Sequence, residues 1–153
     1  MKNLAFFFIL LLILSSCRKN AVPKSSANGK IIIKNAEKYI GTPYKFGGSE
    51  TDGMDCSGLV FRVFEDLETK IPRVSYKQAD HFKEIKLEHA IPGDLVYFKV
   101  GSSRINHTGI ISDIKGPKEI LFIHASTTKG VREDNLFSKY WYPKFVKVTR
   151  PHL

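Results

Sequence analysis

A cysteine at the start of an amphipathic helix constrains this chain most. Cys56 follows Asp55, and beyond it apolar side chains recur at helical spacing, at Leu59, Val60, Val63, Phe64 and Leu67. A thiol at a helix start faces unpaired backbone N–H groups and the positive end of the helix dipole, which favour the nucleophilic thiolate. The pattern predicts a helix over residues 56–68 that begins with a candidate nucleophile. The alternative is a buried, inert cysteine.

The N-terminus has the pattern of an export signal. Lys2 is positively charged, residues 4–14 are apolar, and a Leu-Ser-Ser-Cys sequence ends at Cys17. The apolar run is too short to span a bilayer comfortably, and small residues before a cleavage point are typical of secretory signals. The ending resembles a bacterial lipobox, which predicts a signal peptide over residues 1–16 and a lipid on Cys17. The alternatives are an ordinary signal peptide with a chance cysteine, or an uncleaved anchor.

The lipobox also bears on the second cysteine. If Cys17 carries lipid, Cys56 has no disulfide partner, and an unpaired thiol in an exported protein is consistent with catalysis. Residues 17–28, from the lipidated cysteine onward, are polar and predict a flexible tether. Residues 29–153 fit one domain. We expect a membrane-anchored lipoprotein of the cell envelope that faces the periplasm, on either the inner or the outer membrane.

The chain is basic, with a formal net charge of +9. Such a charge suits nucleic acid, anionic lipid or an anionic polymer. The sequence lacks the Lys/Arg helix and the aromatic stacking module of nucleic-acid binders, and export argues against that partner. The remaining interpretations are a solvated surface without a specific partner, or attraction to a membrane surface or a carboxylate-rich cell wall.

The order of sequence patterns favours helices first and strands afterwards. Helices are expected over residues 30–40 and 76–82, the second after an S-x-x-Q capping box at Ser75. The glycine-rich residues 46–53 are expected to form a loop. Short segments rich in β-branched and aromatic residues predict strands over residues 95–100, 108–114, 119–125 and 144–150. This order predicts an α+β fold, with helices packed on one side of an antiparallel sheet.

Two histidines lie in strand-like surroundings. His107 stands where a loop enters a predicted strand, and His124 ends a very apolar one. One histidine can keep Cys56 as thiolate and protonate the leaving amine, and the second can accept a hydrogen bond from the first and fix its tautomer. We therefore expect a triad with a thiolate–imidazolium pair. The alternatives are structural histidines or a Cys/His/His zinc site, although no close-spaced ligand pair such as C-x-x-C occurs.

Short motifs run in order through the whole predicted domain. They are G-T-P-Y at 41–44, F-G-G at 46–48, D-C-S-G-L-V at 55–60, P-R-V-S at 72–75, P-G-D-L-V-Y-F at 92–98, H-T-G-I at 107–110, I-H-A-S at 123–126 and G-V at 130–131. Each motif alone is weak, but their shared order is specific. In this order they resemble the NlpC/P60 family of cell-wall cysteine peptidases, in particular its small lipoproteins of the endopeptidase Spr type.

The resemblance implies a papain-like fold and hydrolysis of amide bonds in peptidoglycan stem peptides or cross-links. It implies that Cys56 is the nucleophile, His107 the general base and acid, and His124 the polar residue that orients it. It implies no metal and no cofactor. The residues implied to line the substrate site are Tyr44, Asp55, Ser57 and Arg73. A solvated surface arginine is the alternative for Arg73, and the long connection between the two histidines is expected to form an extended hairpin.

The implied partners are peptidoglycan peptides and a membrane held through the lipid, without nucleic acid. The protein is expected to be a monomer. Two other functions stay open: a catalytically silent lipoprotein that holds peptidoglycan in the same groove, and an amidase or acyltransferase on a related papain-like scaffold. The bond cut within peptidoglycan stays open as well.

Overall fold

A computed structural model describes residues 26–153. The predicted signal peptide, Cys17 and nearly all of the predicted tether lie outside these residues. Within the described part, no helix is both long and apolar enough to cross a membrane. The elements are α1 (Ala27–Glu37), β1 (Ser49–Glu50), β2 (Gly53–Met54), α2 (Cys56–Glu65), α3 (Ser75–His81), β3 (Lys83–Ile85), β4 (Leu95–Phe98), β5 (His107–Gly116), β6 (Glu119–Ser126), β7 (Gly130–Asn135) and β8 (Phe145–Arg150), with 3₁₀ turns at Leu87–His89 and Tyr142–Lys144.

Six strands form one antiparallel sheet in the order β3-β8-β4-β5-β6-β7, and β1 and β2 form a separate small hairpin. The three helices precede the sheet in the chain, and α2 packs on β5 and β6. The predicted α+β class is confirmed. The expected extended hairpin is β5–β6, which pairs as far as Gly116 opposite Glu119.

Both faces of the sheet are buried, which strand β4 illustrates. Leu95 and Tyr97 join the core beneath the helices, whereas Val96 and Phe98 join a second core on the opposite face. Alternate side chains of a strand point to opposite faces, so the continuous apolar run of β4 is the pattern of a strand covered on both sides. The second core includes Trp141, which comes from the segment between β7 and β8.

Several predicted element bounds change. Helix α1 begins three residues earlier than expected, because the Ser26 side chain accepts a hydrogen bond from the Gly29 N–H and caps the helix. It ends at Glu37 rather than at residue 40, and Ile40 is 51% exposed. The expected loop over residues 46–53 contains β1 and the start of β2. The sequence pattern does not predict strands β3 and β7, because both are rich in charged residues.

The capping box predicted at Ser75 is wrong, although a helix does begin there. Val74 is the N-cap and makes no side-chain capping bond. The Gln78 amide instead donates to the carbonyl oxygens of Ser57 and Pro72, at 3.0 and 2.9 Å. Gln78 therefore ties α3 to the first turn of α2, a long-range role that a local sequence motif does not reveal.

Candidate active site

Cys56 is the first residue of α2, and only 8% of it is exposed. The helix begins there because Asp55 caps it: the Asp55 Oδ1 accepts a hydrogen bond from the Gly58 N–H at 2.6 Å. The Cys56 Sγ lies 3.7 Å from the carbonyl oxygen of Asn106, and the Thr108 backbone also hydrogen-bonds to it. The thiol thus lies against the backbone on both sides of His107.

Three side chains from neighbouring strands form a chain of hydrogen bonds beside the thiol. His107 begins β5, and its Nε2 lies 3.0 Å from Nδ1 of His124 on β6. The His124 Nε2 lies 2.9 Å from Oδ2 of Asp134 on β7. The structure therefore brings the three predicted catalytic residues to one place and adds a carboxylate. Asp134 was missed because its strand was missed.

Aromatic rings hold the two imidazoles in place. Trp141 stacks on His107, with ring centroids 4.8 Å apart and planes 22° apart, and Phe122 stacks on His124 at 4.8 Å and 25°. The Trp141 Nε1–H also donates to Asp134 Oδ2 at 3.2 Å. His124 is fully buried. Because each ring is packed on a face and hydrogen-bonded at an edge, the orientation of both imidazoles is fixed.

The surroundings of the thiol and of His107 favour their uncharged forms. Burial raises the pKa of the Cys56 thiol to about 11, against a smaller lowering by the Thr108 backbone. Burial, followed by the neighbouring His124, lowers the pKa of His107 to about 3. Both shifts, the rise at the thiol and the fall at the imidazole, oppose an ion pair between these two side chains.

The burial of both groups therefore works against the expected thiolate–imidazolium pair. The helix start does favour a thiolate, but the loss of water around a thiol that is 8% exposed outweighs it. The thiol can instead lose its proton to His107 as it attacks, which is general-base catalysis rather than a preformed ion pair.

The pH dependence of Cys56 alkylation tests this conclusion. Because the folded thiol holds its proton above the pKa of a free cysteine, about 8.5, we expect the iodoacetamide rate to stay low through neutral pH. It should rise only in the alkaline range, towards about 11. The measurement is the change in alkylation rate with pH, because the limited access of iodoacetamide to the buried thiol lowers the absolute rate at every pH. Fast alkylation near pH 6 that disappears in His107→Ala would restore the ion pair.

Arg73 joins the helix start to the glycine-rich loop. Its guanidinium donates to Asp55 Oδ1 at 2.9 Å and Oδ2 at 3.0 Å, to Ser57 Oγ at 3.0 Å and to the Gly48 carbonyl at 2.9 Å. Burial favours neutral Asp55, yet the hydrogen bonds from Arg73 and Gly58 outweigh it and lower the pKa of Asp55. Arg73 is thus paired rather than a solvated surface arginine.

Asp55 and Ser57, expected to line the substrate site, are both buried and use their oxygens in this cluster. Their contacts hold the first turn of α2 against the loop that contains Gly48. The approach is close at Gly58, where a Cβ would collide with the Gly48 carbonyl oxygen. Only glycine fits at that position without moving the loop away from the nucleophile.

Tyr44 lies near the thiol, as expected, and is half-buried. Its backbone pairs with Met54, two residues before Cys56. Burial, then the negative charges available at Cys56 and Asp55, raise the pKa of the Tyr44 hydroxyl. The hydroxyl therefore keeps its proton and can act as a hydrogen-bond donor at neutral pH.

A cleft of about 590 Å³ opens beside His107. Its walls include Lys129, Arg132, Asp134 and Trp141, so it carries two cationic side chains next to the hydrogen-bonded chain. Among residues 26–153, no group of three or more His, Cys, Asp or Glu side chains is arranged to hold a metal ion.

Comparison with known proteins agrees with this geometry. The profile of the NlpC/P60 family matches residues 41–150. "Probable endopeptidase NlpC" of Escherichia coli (strain K12) is 34% identical over 151 residues, which cover 93% of this chain and 95% of that protein. "Murein DD-endopeptidase MepS/Murein LD-carboxypeptidase" of the same strain is 33% identical over 133 residues, covering 86% of this chain and 67% of that protein.

A solved structure shows the same fold. A protein described as similar to lipoprotein, NLP/P60 family, from Staphylococcus aureus subsp. aureus Mu50 matches with a TM-score of 0.70 and 30% identity. The match covers 86% of this chain and 44% of the solved protein. The matched profile spans the candidate site from Tyr44 to Asp134; the chain belongs to the NlpC/P60 family.

Proposed function

We propose that this protein is a cysteine endopeptidase that hydrolyses amide bonds in peptidoglycan stem peptides or cross-links. The observation that carries the proposal is the position of Cys56, which begins α2 and lies against the backbone on both sides of His107. The ordered His107–His124–Asp134 chain supplies the base beside it. The relative named as a murein endopeptidase and carboxypeptidase supports peptidoglycan as the substrate, and the relative named as a probable endopeptidase supports peptide hydrolysis.

The geometry supports the following course of reaction. His107 takes the Cys56 proton while the sulfur attacks the scissile carbonyl carbon, which gives a tetrahedral oxyanion. Backbone N–H groups at the start of α2 and the protonated Tyr44 hydroxyl are the nearby donors for that oxygen. His107 then protonates the leaving amine, and a thioester remains on Cys56. Finally, His107 removes a proton from water as the water attacks the thioester carbonyl carbon. The C–S bond then breaks to release the acid product, and His107 returns the proton to the Cys56 sulfur.

The charge of the cleft suits the proposed substrate. Lys129 is exposed, and Arg132 lines the same cleft. Stem peptides carry free carboxylates, which the Lys129 ammonium would attract in addition to the general effect of a net charge of +9, whereas Arg132 is paired with Asp134. We therefore propose that the peptide enters beside His107 with a carboxylate towards Lys129.

Digestion of purified peptidoglycan tests the function. We expect the full chain to release peptide fragments whose masses show a bond cut within a stem or a cross-link, with the remaining residues still attached to the sugar. Intact stems released from the sugar would identify an amidase instead. Binding without any cleavage would identify a silent binding lipoprotein.

We also propose that a lipid on Cys17 holds the enzyme at a membrane of the cell envelope. The motif Leu-Ser-Ser-Cys at the end of an apolar run supports this proposal. Stable attachment takes about two acyl chains, because one holds a protein only weakly. A tether of about eleven residues reaches at most about 35–40 Å when extended. The active site would then work on wall strands close to that membrane.

Cys17→Ser tests the anchor. In cells grown with labelled palmitate, we expect the wild type to be labelled and to fractionate with membranes, and the variant to carry no label. The catalytic residues all lie beyond residue 40, so the variant should keep its hydrolytic activity in solution. An unlabelled, freely soluble wild type would contradict the anchor.

A further inference from the structure

Asp134 is hydrogen-bonded to His124 but is not one of the three residues expected to form the triad. It lies on β7, and the register places Phe122 opposite it and His124 opposite Arg132, so these four side chains share one face of the sheet. Its Oδ2 is 2.9 Å from Nε2 of the fully buried His124. We propose that Asp134 is a positioning residue that fixes the ring protons of both histidines, so that the relay has four members. Only the catalytic consequence rests on the proposed function.

The proton positions follow from the hydrogen-bonding capacity of each group. A carboxylate only accepts, so the His124 Nε2 must carry the hydrogen in its bond to Asp134. Neutral His124 then has a bare Nδ1, which accepts at 3.0 Å from the His107 Nε2. Neutral His107 is left with a bare Nδ1. Of the two tautomers of His107, only this one has its free lone pair on the nitrogen that His124 does not occupy.

The carboxylate is itself held firmly. Arg132 Nη2 is 2.7 Å from Asp134 Oδ1, and Trp141 Nε1–H donates to Oδ2 at 3.2 Å. Burial favours the neutral acid, but the hydrogen bonds from His124 and Trp141 outweigh it, so the pKa of Asp134 is lowered. Asp134 therefore stays an acceptor at neutral pH.

Without the Asp134 carboxylate, the His107–His124 hydrogen bond alone would not determine which ring nitrogen of each histidine carries the hydrogen. His124 could place its hydrogen on Nδ1 and donate to His107 Nε2, which would move the His107 hydrogen to Nδ1. That ring could no longer take a proton from the Cys56 thiol through Nδ1. A negative charge at Asp134 also stabilises the imidazolium that forms during the reaction, as the acid does in a Ser-His-Asp triad.

Nitrogen-15 NMR of the histidine rings measures the tautomers directly. In the full chain near pH 7.5, we expect His107 and His124 both to carry hydrogen on Nε2. In Asp134→Leu, His124 should populate the Nδ1–H tautomer. Leucine is used because an asparagine oxygen could still accept from His124 and Trp141. Glu133→Leu is the matched control, because it removes the adjacent, exposed carboxylate of β7 and leaves the relay intact.

The second measurement is the rate of peptidoglycan hydrolysis. We expect kcat to fall about 10²-fold or more in Asp134→Leu, with KM within about twofold of the wild type, because a triad acid acts on the reaction rather than on binding. Glu133→Leu should match the wild type.

Either of two results overturns the inference: an Nδ1–H tautomer of His124 in the wild type, or a folded Asp134→Leu that keeps the wild-type tautomers. The wild-type spectrum decides even if the variant does not fold. If the wild type releases no peptidoglycan fragment, the proposed function fails while the spectra still decide the role of Asp134.

Discussion

Replacing Cys56 with alanine is expected to abolish peptidoglycan hydrolysis while the fold survives. The loss should be about 10⁶-fold, as for removal of the nucleophile in subtilisin, because the proposed acyl intermediate forms on the Cys56 sulfur. The structural cost is small, since the helix start is held by Asp55 and Arg73 rather than by the thiol. Fragment release by mass spectrometry and thermal unfolding are the two measurements.

Cys56→Ser is the companion variant for this experiment. It keeps the shape of the side chain but replaces the thiol with a hydroxyl. A hydroxyl is far less acidic than a thiol, so His107 removes its proton much less readily. We expect it to be as inactive as the alanine variant within the detection limit. Wild-type rates of cleavage by the alanine variant would rule out Cys56 as nucleophile and with it the proposed mechanism.

His107→Ala is expected to cost more than His124→Ala. Without His107 the thiol has no base and the leaving amine has no acid, so the loss should approach that of the cysteine variant, about 10⁶-fold. Without His124 the proton transfers remain possible, but His107 loses its partner at 3.0 Å and its fixed tautomer. By analogy with triad acids, that loss is about 10³- to 10⁴-fold.

Effects on stability must be separated from effects on catalysis when these two alanine variants are compared. His124 is fully buried between Phe122 and Trp141, so alanine leaves a cavity there, whereas part of the His107 surface stays accessible to solvent. Rates should therefore be compared well below the unfolding temperature of each variant. A folded His124→Ala with wild-type activity would return His124 to a purely structural role in the core.

Local sequence patterns predict those parts of the site that depend on residues adjacent in sequence. The position of Cys56 could be predicted because the capping residue and the apolar spacing of α2 are adjacent in sequence. The strands that carry His107 and His124 could be predicted because both are rich in β-branched residues. Asp134 could not, since it stands between Glu133 and Asn135 in a polar run that is typical of a solvated turn. Only the β6–β7 register places it beside His124.

Long-range contacts account for the other differences. The amide of Gln78 matches a capping box by spacing, yet it binds carbonyl groups of two other segments. The protonation of Cys56 and His107 depends on how completely the folded chain removes water from them, which no residue within a few positions reveals. An argument from the helix start considers only the helix, whereas here burial by the surrounding fold determines the protonation of both side chains.

The length of the β5–β6 hairpin has a practical consequence. His107 begins β5, whereas the pairing ends nine residues later at Gly116 opposite Glu119. At about 3.3 Å per residue, the turn lies about 30 Å along the strand from the imidazole. Lys115, Pro117 and Lys118 at this end are exposed. A fluorophore or an affinity tag inserted there would label the protein without reaching the cleft.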